Sequence, residues 1–478
     1  MIEKHVLSKS TFIRGTQCLK SLYLNKKRPF LRDRLSDEQR AIFKRGTDVG
    51  VLAQQLFPNG VDLKPKSPSQ FRKKVAETTE IVNAGQHNVL YEAAFQHDGL
   101  LILLDILVKE QNEWVAYEVK SSLKISETYL KDAAFQYYVM HHAGLSLKDF
   151  YLVTLNPDYQ FEGTLDIKKL FVKHRVTDEV IQRQPWIEEQ VKAEKETLLL
   201  AHSPDIAIGP QCHNPYPCDF QGHCWKKVAD NSVLFLDAFD ESFRFESYYS
   251  GNDAPEKIDY ENCTPKQQIQ LQSARTKKYY FHKTRLKKFV DSIPNHARFL
   301  SIRFVRPAVP CFPHTKAYQH IPVALRIDDE NEFPITQNNP MDTLYPILKT
   351  RLDQGIIFVT YDASGLLSYL TETKQDKLRI RLQRQLIDLK EVFNEDILFH
   401  YQLKGDYSPM QVAKVILKKW VRELNPSLLT MEWQKNLFNQ APIPEELMEQ
   451  TELYLKKSNQ FLHDFVGFMQ HEALLKQS

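Results

Sequence analysis

The stretch LLILLDILVKEQNEWVAYEVK, from Leu100 to Lys120, decides the reading of the fold. It holds two apolar runs, Leu100 to Val108 and Trp114 to Val119, separated by a polar turn from Lys109 to Glu113. Runs of this length and composition, bounded by a turn, read as buried β-strands. If Gln111 and Asn112 form a two-residue hairpin loop, Glu110 pairs with Glu113. Counting back along both strands then sets Asp105 opposite Glu118. Directly opposed residues hold their Cβ atoms roughly 5 Å apart, where like charges repel. An ionised carboxylate on so apolar a strand is costly unless something compensates it. Taken by itself, Asp105 reads as a strand-end residue at a sheet rim; the opposed Glu118 changes that reading. Lys120 lies two residues past Glu118 and therefore on the same face of the strand. Two carboxylates and a lysine on one face suit a hydrolytic centre. A Mg²⁺ or Mn²⁺ ion between the carboxylates relieves their repulsion, lowers the pKa of bound water and neutralises a phosphate. Lys120 can orient that water.

Outward from this hairpin, the first half of the chain reads as α/β. A helix capped by Ser10 or Thr11 runs through Cys18 toward Leu24, and another lies around Ser36 to Phe57. A strand is expected at Val89 to Phe95, a helix over Ser126 to His142, a strand at Phe150 to Leu155, and helical structure over 176–200. A Pro- and Cys-rich loop from Pro210 to Cys224 closes this part.

Glu92, Asp105, the Glu118-Val-Lys120 triplet and the later helix carrying Gln136-Tyr-Tyr138 together resemble the motifs of RecB-like PD-(D/E)XK nucleases. The resemblance covers about residues 1–228. It implies a restriction-endonuclease-like mixed sheet flanked by helices, with Asp105 and Glu118 as metal ligands and Glu92 contributing to the metal site. It also implies Lys120 as the water-activating group and Gln136 near the DNA. Two departures stand out. Many relatives carry a His ligand on the early helix, where this chain has Gly46-Thr-Asp-Val-Gly50, and the tyrosine expected four residues after the Gln is Met140.

Six cysteines in 478 residues do not form a secreted disulfide framework. Cys212, Cys218 and Cys224 have five residues between successive members, in a segment with Pro210, Pro215 and Pro217, and Cys18 lies far upstream. This arrangement resembles the branch of RecB-like nucleases that carries a [4Fe–4S] cluster, which implies a closed four-thiolate site joining the first helix to the end of the domain. Zinc also takes four thiolates, and His213 and His223 widen its options. Cys263 and Cys311 fall outside the pattern.

Residues 298–478 resemble an RNase H-like, DEDD exonuclease-type α/β domain, with strands expected at Phe299 to Phe304 and Ile356 to Tyr361. The resemblance implies a disarmed site. Ser301 and Arg303 stand where the active family has its first two acids, Leu366 and Ser458 occupy the later acidic positions, and Asp388 alone remains. A two-metal site needs several carboxylates, and a guanidinium at 303 repels metal.

Between these parts, residues 229–297 read as a basic helical connector. Thr264 to Val290 carries eight Lys or Arg and no acid, interleaved with Tyr279, Tyr280, Phe281 and Phe289. Basic runs with aromatics suit phosphate contact and base stacking, and suit equally a solvated helix face. The net charge of +3 is near balance and by itself does not point to nucleic acid. No glycine-rich phosphate loop occurs, which argues against an ATP-driven motor and a nucleotide cofactor. No apolar run approaches membrane-spanning length, and a cytoplasmic location is expected. The expectation is a metal-dependent deoxyribonuclease acting on DNA ends or single strands, with protein partners in a repair or defence complex. The rival expectation is a non-enzymatic nucleic-acid-binding or protein-interaction scaffold.

Overall fold

The computed structural model describes residues 6–34, 40, 46, 48–332, 339–419 and 421–474. They divide into two compact units, Met1–Lys226 and Lys227–Ser478. Both are mixed α/β, with mixed sheets flanked by helices.

The hairpin anticipated from the sequence is the axis of the first unit. Strands β4 (Leu100–Glu110) and β5 (Glu113–Lys120) pair antiparallel, with Glu110 opposite Glu113. Gln111 and Asn112 both take positive φ, 49° and 71°, as the favoured two-residue hairpin turns require. Around this axis the seven-stranded sheet adds β1 (Leu7–Ser8), β2 (Val61–Asp62), β3 (Val89–His97), β6 (Leu147–Leu155) and β7 (Phe171–Arg175), in the order β2-β3-β4-β5-β6-β7. β1 pairs with β4 off this path. β3 takes one edge of β4 along its length, so β1 and β5 must share the other. β5 occupies that edge from Ile106 to Glu110 and β1 from Leu100 to Leu101. The interval between them is a notch in the sheet, and Asp105 stands at its rim.

Helices α1 (Lys9–Gln17), α2 (Leu19–Lys27), α3 (Phe71–Ala84), α4 (Glu127–His142) and α5 (Gln184–Leu199) accompany this sheet. Phe12 of α1 stacks on Phe135 of α4 with ring centroids 4.1 Å apart, and Trp186 of α5 meets Phe12 edge-on. The first helix differs from expectation in two ways. It starts earlier, because the Ser8 N–H is satisfied by Thr11 Oγ1 at 2.8 Å. It also breaks at Cys18, whose backbone is extended (φ −163°, ψ 114°). Cys18 N–H closes α1 on the Arg14 carbonyl while its own carbonyl accepts the first bond of α2 from Leu22. The stretch expected to be helical over 176–200 is two helices, Thr177–Gln182 and Gln184–Leu199. The helix expected over 36–57 lies partly outside the described residues, of which 48–53 are helical. So does the expected His-ligand position, where Thr47 is not described.

The second unit is built on a five-stranded sheet of β9 (Arg298–Val305), β10 (Ile321–Ile327), β11 (Glu330–Glu332), β12 (Phe358–Thr360) and β13 (Leu386–Asp388). The order is β11-β10-β9-β12-β13, with β9, β12 and β13 mutually parallel and β10 antiparallel to β9. The stretch read from sequence as a connector folds into this unit. β8 (Tyr280–Phe281) pairs with β14 (Leu398–Phe399), and Leu286 is fully buried in a core with Val359, Leu389 and Phe465. This packing corrects the base-stacking reading for two of its aromatics. Tyr279 and Phe281 lie against Phe468, and the Tyr279 hydroxyl donates to the Ile416 carbonyl at 3.2 Å. Their rings serve the core of this unit.

No described helix is long and apolar enough to cross a membrane.

Candidate active site

Four elements, β4, β5, α1 and α4, bring charged side chains into the notch of the first sheet. The β4–β5 ladder ends at Ile106 opposite Tyr117. Asp105 and Glu118 are thus the first facing residues beyond it, as the hairpin count requires. In place of a backbone bond, Val119 N–H donates to Asp105 Oδ2 at 2.7 Å. Glu118 is almost fully buried at 1% exposure, and its Oε1 accepts from Lys120 Nζ at 2.8 Å and Lys9 Nζ at 2.7 Å. Lys120 also bonds Asp132, on the first half of α4. Lys9 is the first residue of α1, delivered to the notch by β1.

The two facing carboxyls are driven apart in proton affinity. Burial lowers the hydration of Asp105 and the neighbouring Glu118 charge adds to it, so its carboxyl is pushed well above the usual carboxylate range. Burial would raise Glu118 too, but the ammonium groups of Lys120 and Lys9 outweigh it and hold the carboxyl down at about 2. Burial likewise opposes the charge on both lysines, yet the surrounding acids win and raise them above the ordinary lysine value. Lys120 therefore stays an ammonium group near neutral pH and can orient a water without accepting its proton.

Glu92 occupies β3 beside this pair. Its backbone is left-handed, with φ 54°, and the β3–β4 register passes from Tyr91–Ile106 to Ala93–Leu104 without it. Positive φ in a non-glycine residue inside a strand is uncommon and costs energy. The result is that Glu92 breaks the ladder opposite Asp105. Its carboxylate is tied to Lys64 at 3.0 Å. Gln136 lies one helical turn after Asp132 on α4 and is fully buried, with neither amide atom hydrogen-bonded.

Two members of this constellation escaped the sequence reading, Lys9 and Asp132. Asp132 had a usable signal, since it precedes Gln136 by four residues on one helix face. Lys9 had none beyond its place in a basic N-terminus.

The four cysteines singled out in the sequence, Cys18, Cys212, Cys218 and Cys224, line one cavity together with Lys20, Ser21 and Phe220. All are free thiols. Burial raises the Cys18 thiol and pushes Cys224 up to about 11. Contacts independent of the thiols also join α1 to the cysteine loop. Arg14 reaches both carboxylate oxygens of Asp219, at 2.5 and 3.0 Å, and Gln17 Nε2 donates to the carbonyls of Gln211 and Tyr216 at 2.8 and 2.7 Å.

No protein-family model matches this chain, and no curated protein matches it. Its chemistry rests on the geometry alone. Among the described residues, no group of three or more His, Cys, Asp or Glu side chains meets the geometry of a formed metal site. What is present is two buried carboxyls of the notch, each with one oxygen unused. Glu118 Oε2 is buried without a hydrogen-bond partner, as is Asp132 Oδ1. A buried carboxylate oxygen without a donor is unfavourable unless a cation or a proton completes it.

In the second unit, the positions that the resemblance assigned to a disarmed site are engaged in bonds and packing within the unit. Ser301 Oγ donates to Asn459 Oδ1 at 2.5 Å, so it is the neighbour of Ser458 that faces the first strand. Arg303 is bonded to the Pro426 carbonyl at 3.1 Å and to the Thr430 hydroxyl. Leu366 is buried in the core at 2% exposure. Asp388 accepts the backbone N–H groups of Asp362, Ala363 and Lys390 at 2.8, 2.7 and 2.9 Å.

Proposed function

We propose that this chain is a metal-dependent DNA nuclease of RecB-like PD-(D/E)XK type, hydrolysing phosphodiesters at ends or in single strands. The observation that carries this reading is the buried Glu118 facing Asp105, one of its oxygens without a donor and the other held by two lysines. Asp105 and Glu118 would hold Mg²⁺ or Mn²⁺, with Glu92 an auxiliary ligand once released from Lys64. When bound, the ion supplies a more acidic water and neutralises phosphate charge. The chain's own residues do the rest. Lys120, an ammonium fixed between Glu118 and Asp132, orients the attacking water. Asp105 presents its carboxyl opposite Glu118, just beyond the last pair of the hairpin ladder. Gln136, whose buried amide is unpaired, is placed near the DNA by the family resemblance.

We assign a [4Fe–4S] cluster, with zinc as the alternative, to Cys18, Cys212, Cys218 and Cys224, because four free thiols share one cavity. Its role is to join α1 to the end of the first unit. The second unit is read as an RNase H-like domain without catalysis, since Ser301, Arg303 and Asp388 are all committed to bonds within it.

One observation favours the scaffold reading instead. Lys9 and Lys120 already neutralise Glu118 without any metal. An assay on end-labelled single- and double-stranded DNA with Mg²⁺ or Mn²⁺ separates the two. The nuclease reading requires cleavage that disappears in Asp105→Asn while the melting temperature stays near that of wild type. Wild-type protein that cuts no substrate would hand the site to the scaffold reading.

A further inference from the structure

Lys9 is the member of the notch that the hydrolytic scheme leaves without a task. Its placement is not incidental. The two residues before it form β1, which hydrogen-bonds β4 on the same edge as β5 and so aims the start of α1 at the gap where the hairpin ladder ends. The Ser8 N–H bonded to Thr11 Oγ1 fixes that entry into the helix. Lys120, the other lysine on Glu118, has a second carboxylate partner in Asp132. Among the described residues, Glu118 is the one acceptor on Lys9 Nζ. The Lys9 side chain is also 30% exposed, against 13% for Lys120 and 1% for Glu118, so Lys9 covers Glu118 from the solvent side.

We infer that Lys9 is a built-in counter-cation for Glu118 that gives way to the metal and then binds the substrate's phosphate. The inference rests on the nuclease reading. Before metal binds, the Lys9 ammonium shares with Lys120 the compensation of the buried Glu118 carboxylate. A dication on Glu118 would stand beside that ammonium in a site where like charges are poorly screened. A phosphate oxygen between the two cations resolves the conflict. Lys9, on the exposed side, is placed to supply that contact, as lysines do for phosphates as compact point charges. Two consequences follow. Lys9 competes with metal in the free protein, and it couples metal binding to phosphate binding, a coupling that must act equally in both directions.

The test is Mn²⁺ titration of the full-length protein by calorimetry, with and without a phosphorothioate-blocked single strand. Wild type, Lys9→Met, Lys9→Arg and Asp105→Asn are compared, with melting curves for each. Lys9→Met should bind Mn²⁺ about tenfold more tightly than wild type in the absence of DNA, as expected for removal of an adjacent poorly screened charge. The gain in Mn²⁺ affinity that the strand produces in wild type should shrink in Lys9→Met and return in Lys9→Arg. In the cleavage assay Lys9→Met should raise KM for DNA more than it lowers kcat. A merely structural lysine predicts the opposite sign, since a loosened site binds metal more weakly. Unchanged or weaker Mn²⁺ binding by Lys9→Met, with Asp105→Asn still abolishing it, overturns the role of Lys9 and leaves the nuclease reading standing. Absence of any Asp105-dependent Mn²⁺ binding in wild type and in both Lys9 variants overturns the two together.

Discussion

At the scale of single residues, the first unit carries a second acid whose state is set by burial alone. Glu194 on α5 is fully buried, neither carboxyl oxygen has a partner, and desolvation pushes its carboxyl up to about 9. It is therefore a neutral acid at physiological pH. A folded-state value raised above the unfolded one means that the folded protein binds the extra proton, so stability falls as pH rises. The contribution of Glu194 is fully present below its ordinary value and is lost as pH climbs through 9. Glu194→Gln keeps the shape and cannot ionise. Its melting temperature should track wild type in mild acid and exceed it increasingly toward pH 9. A constant difference across that range would mean that Glu194 is ionised and partnered. The same carboxyl explains Gly15: a Cβ there would lie 2.2 Å from Glu194 Cδ. Gly15→Ala must displace a buried group and should destabilise by about 1–3 kcal/mol. In a double-mutant cycle with Glu194→Ala, which removes the obstruction, most of that loss should be recovered.

At the scale of elements, the break at Cys18 is what allows one short segment to serve two sites. α1 begins at the notch with Lys9 and ends at the cysteine cavity with Cys18, nine residues later. A continuous helix through Cys18 would keep its backbone amide and carbonyl in one ladder. The extended residue instead ends one helix, starts the next and lines the cavity. If the four thiols hold one cluster, loss of any ligand loses its contribution to folding. Cys18→Ala and Cys218→Ala should then melt at similarly reduced temperatures and lose metal together, as read by iron, sulphide and zinc analysis. A Cys18→Ala protein that retains its metal and melts like wild type would remove α1 from the ligand set. The bonds of Arg14 to Asp219 and of Gln17 to the loop would still join the two elements in that case.

At the scale of the whole molecule, the two units present opposite arrangements of their charged strand residues. The first sheet leaves Asp105 and Glu118 facing each other past the end of their ladder, with one Glu118 oxygen unpartnered. The second surrounds its strand acid with backbone: three N–H groups point at Asp388, which makes it a loop brace. Asp388→Ala should cost about 1–3 kcal/mol in stability by stranding those donors. The end-labelled assay should nonetheless find its cleavage within a few-fold of wild type. Loss of cleavage in Asp388→Ala at an unchanged melting temperature, with persistence in Asp105→Asn, would place the chemistry in the second unit.

Local pattern determined the parts of this protein that depend on local rules. The hairpin register follows from two apolar runs and the length of the turn between them, and it carries Asp105 opposite Glu118 and Lys120 to the same face. The cysteine spacing within the loop and the helix over α4 were legible for the same reason: period and punctuation are written along the chain. Tertiary structure decided what long-range pairing controls. Nothing near Lys9 in sequence announces Glu118 at a separation of 109 residues; the β1–β4 pairing brings them to 2.7 Å. The packing of Tyr279 and Phe281 was not legible because their partner, Phe468, lies far along the chain. The convergence of Cys18 on the distant cysteine loop, implied by resemblance alone, is likewise a product of packing. Register is a one-dimensional property, whereas which charge meets which across a sheet edge depends on chain segments that only the folded core brings together.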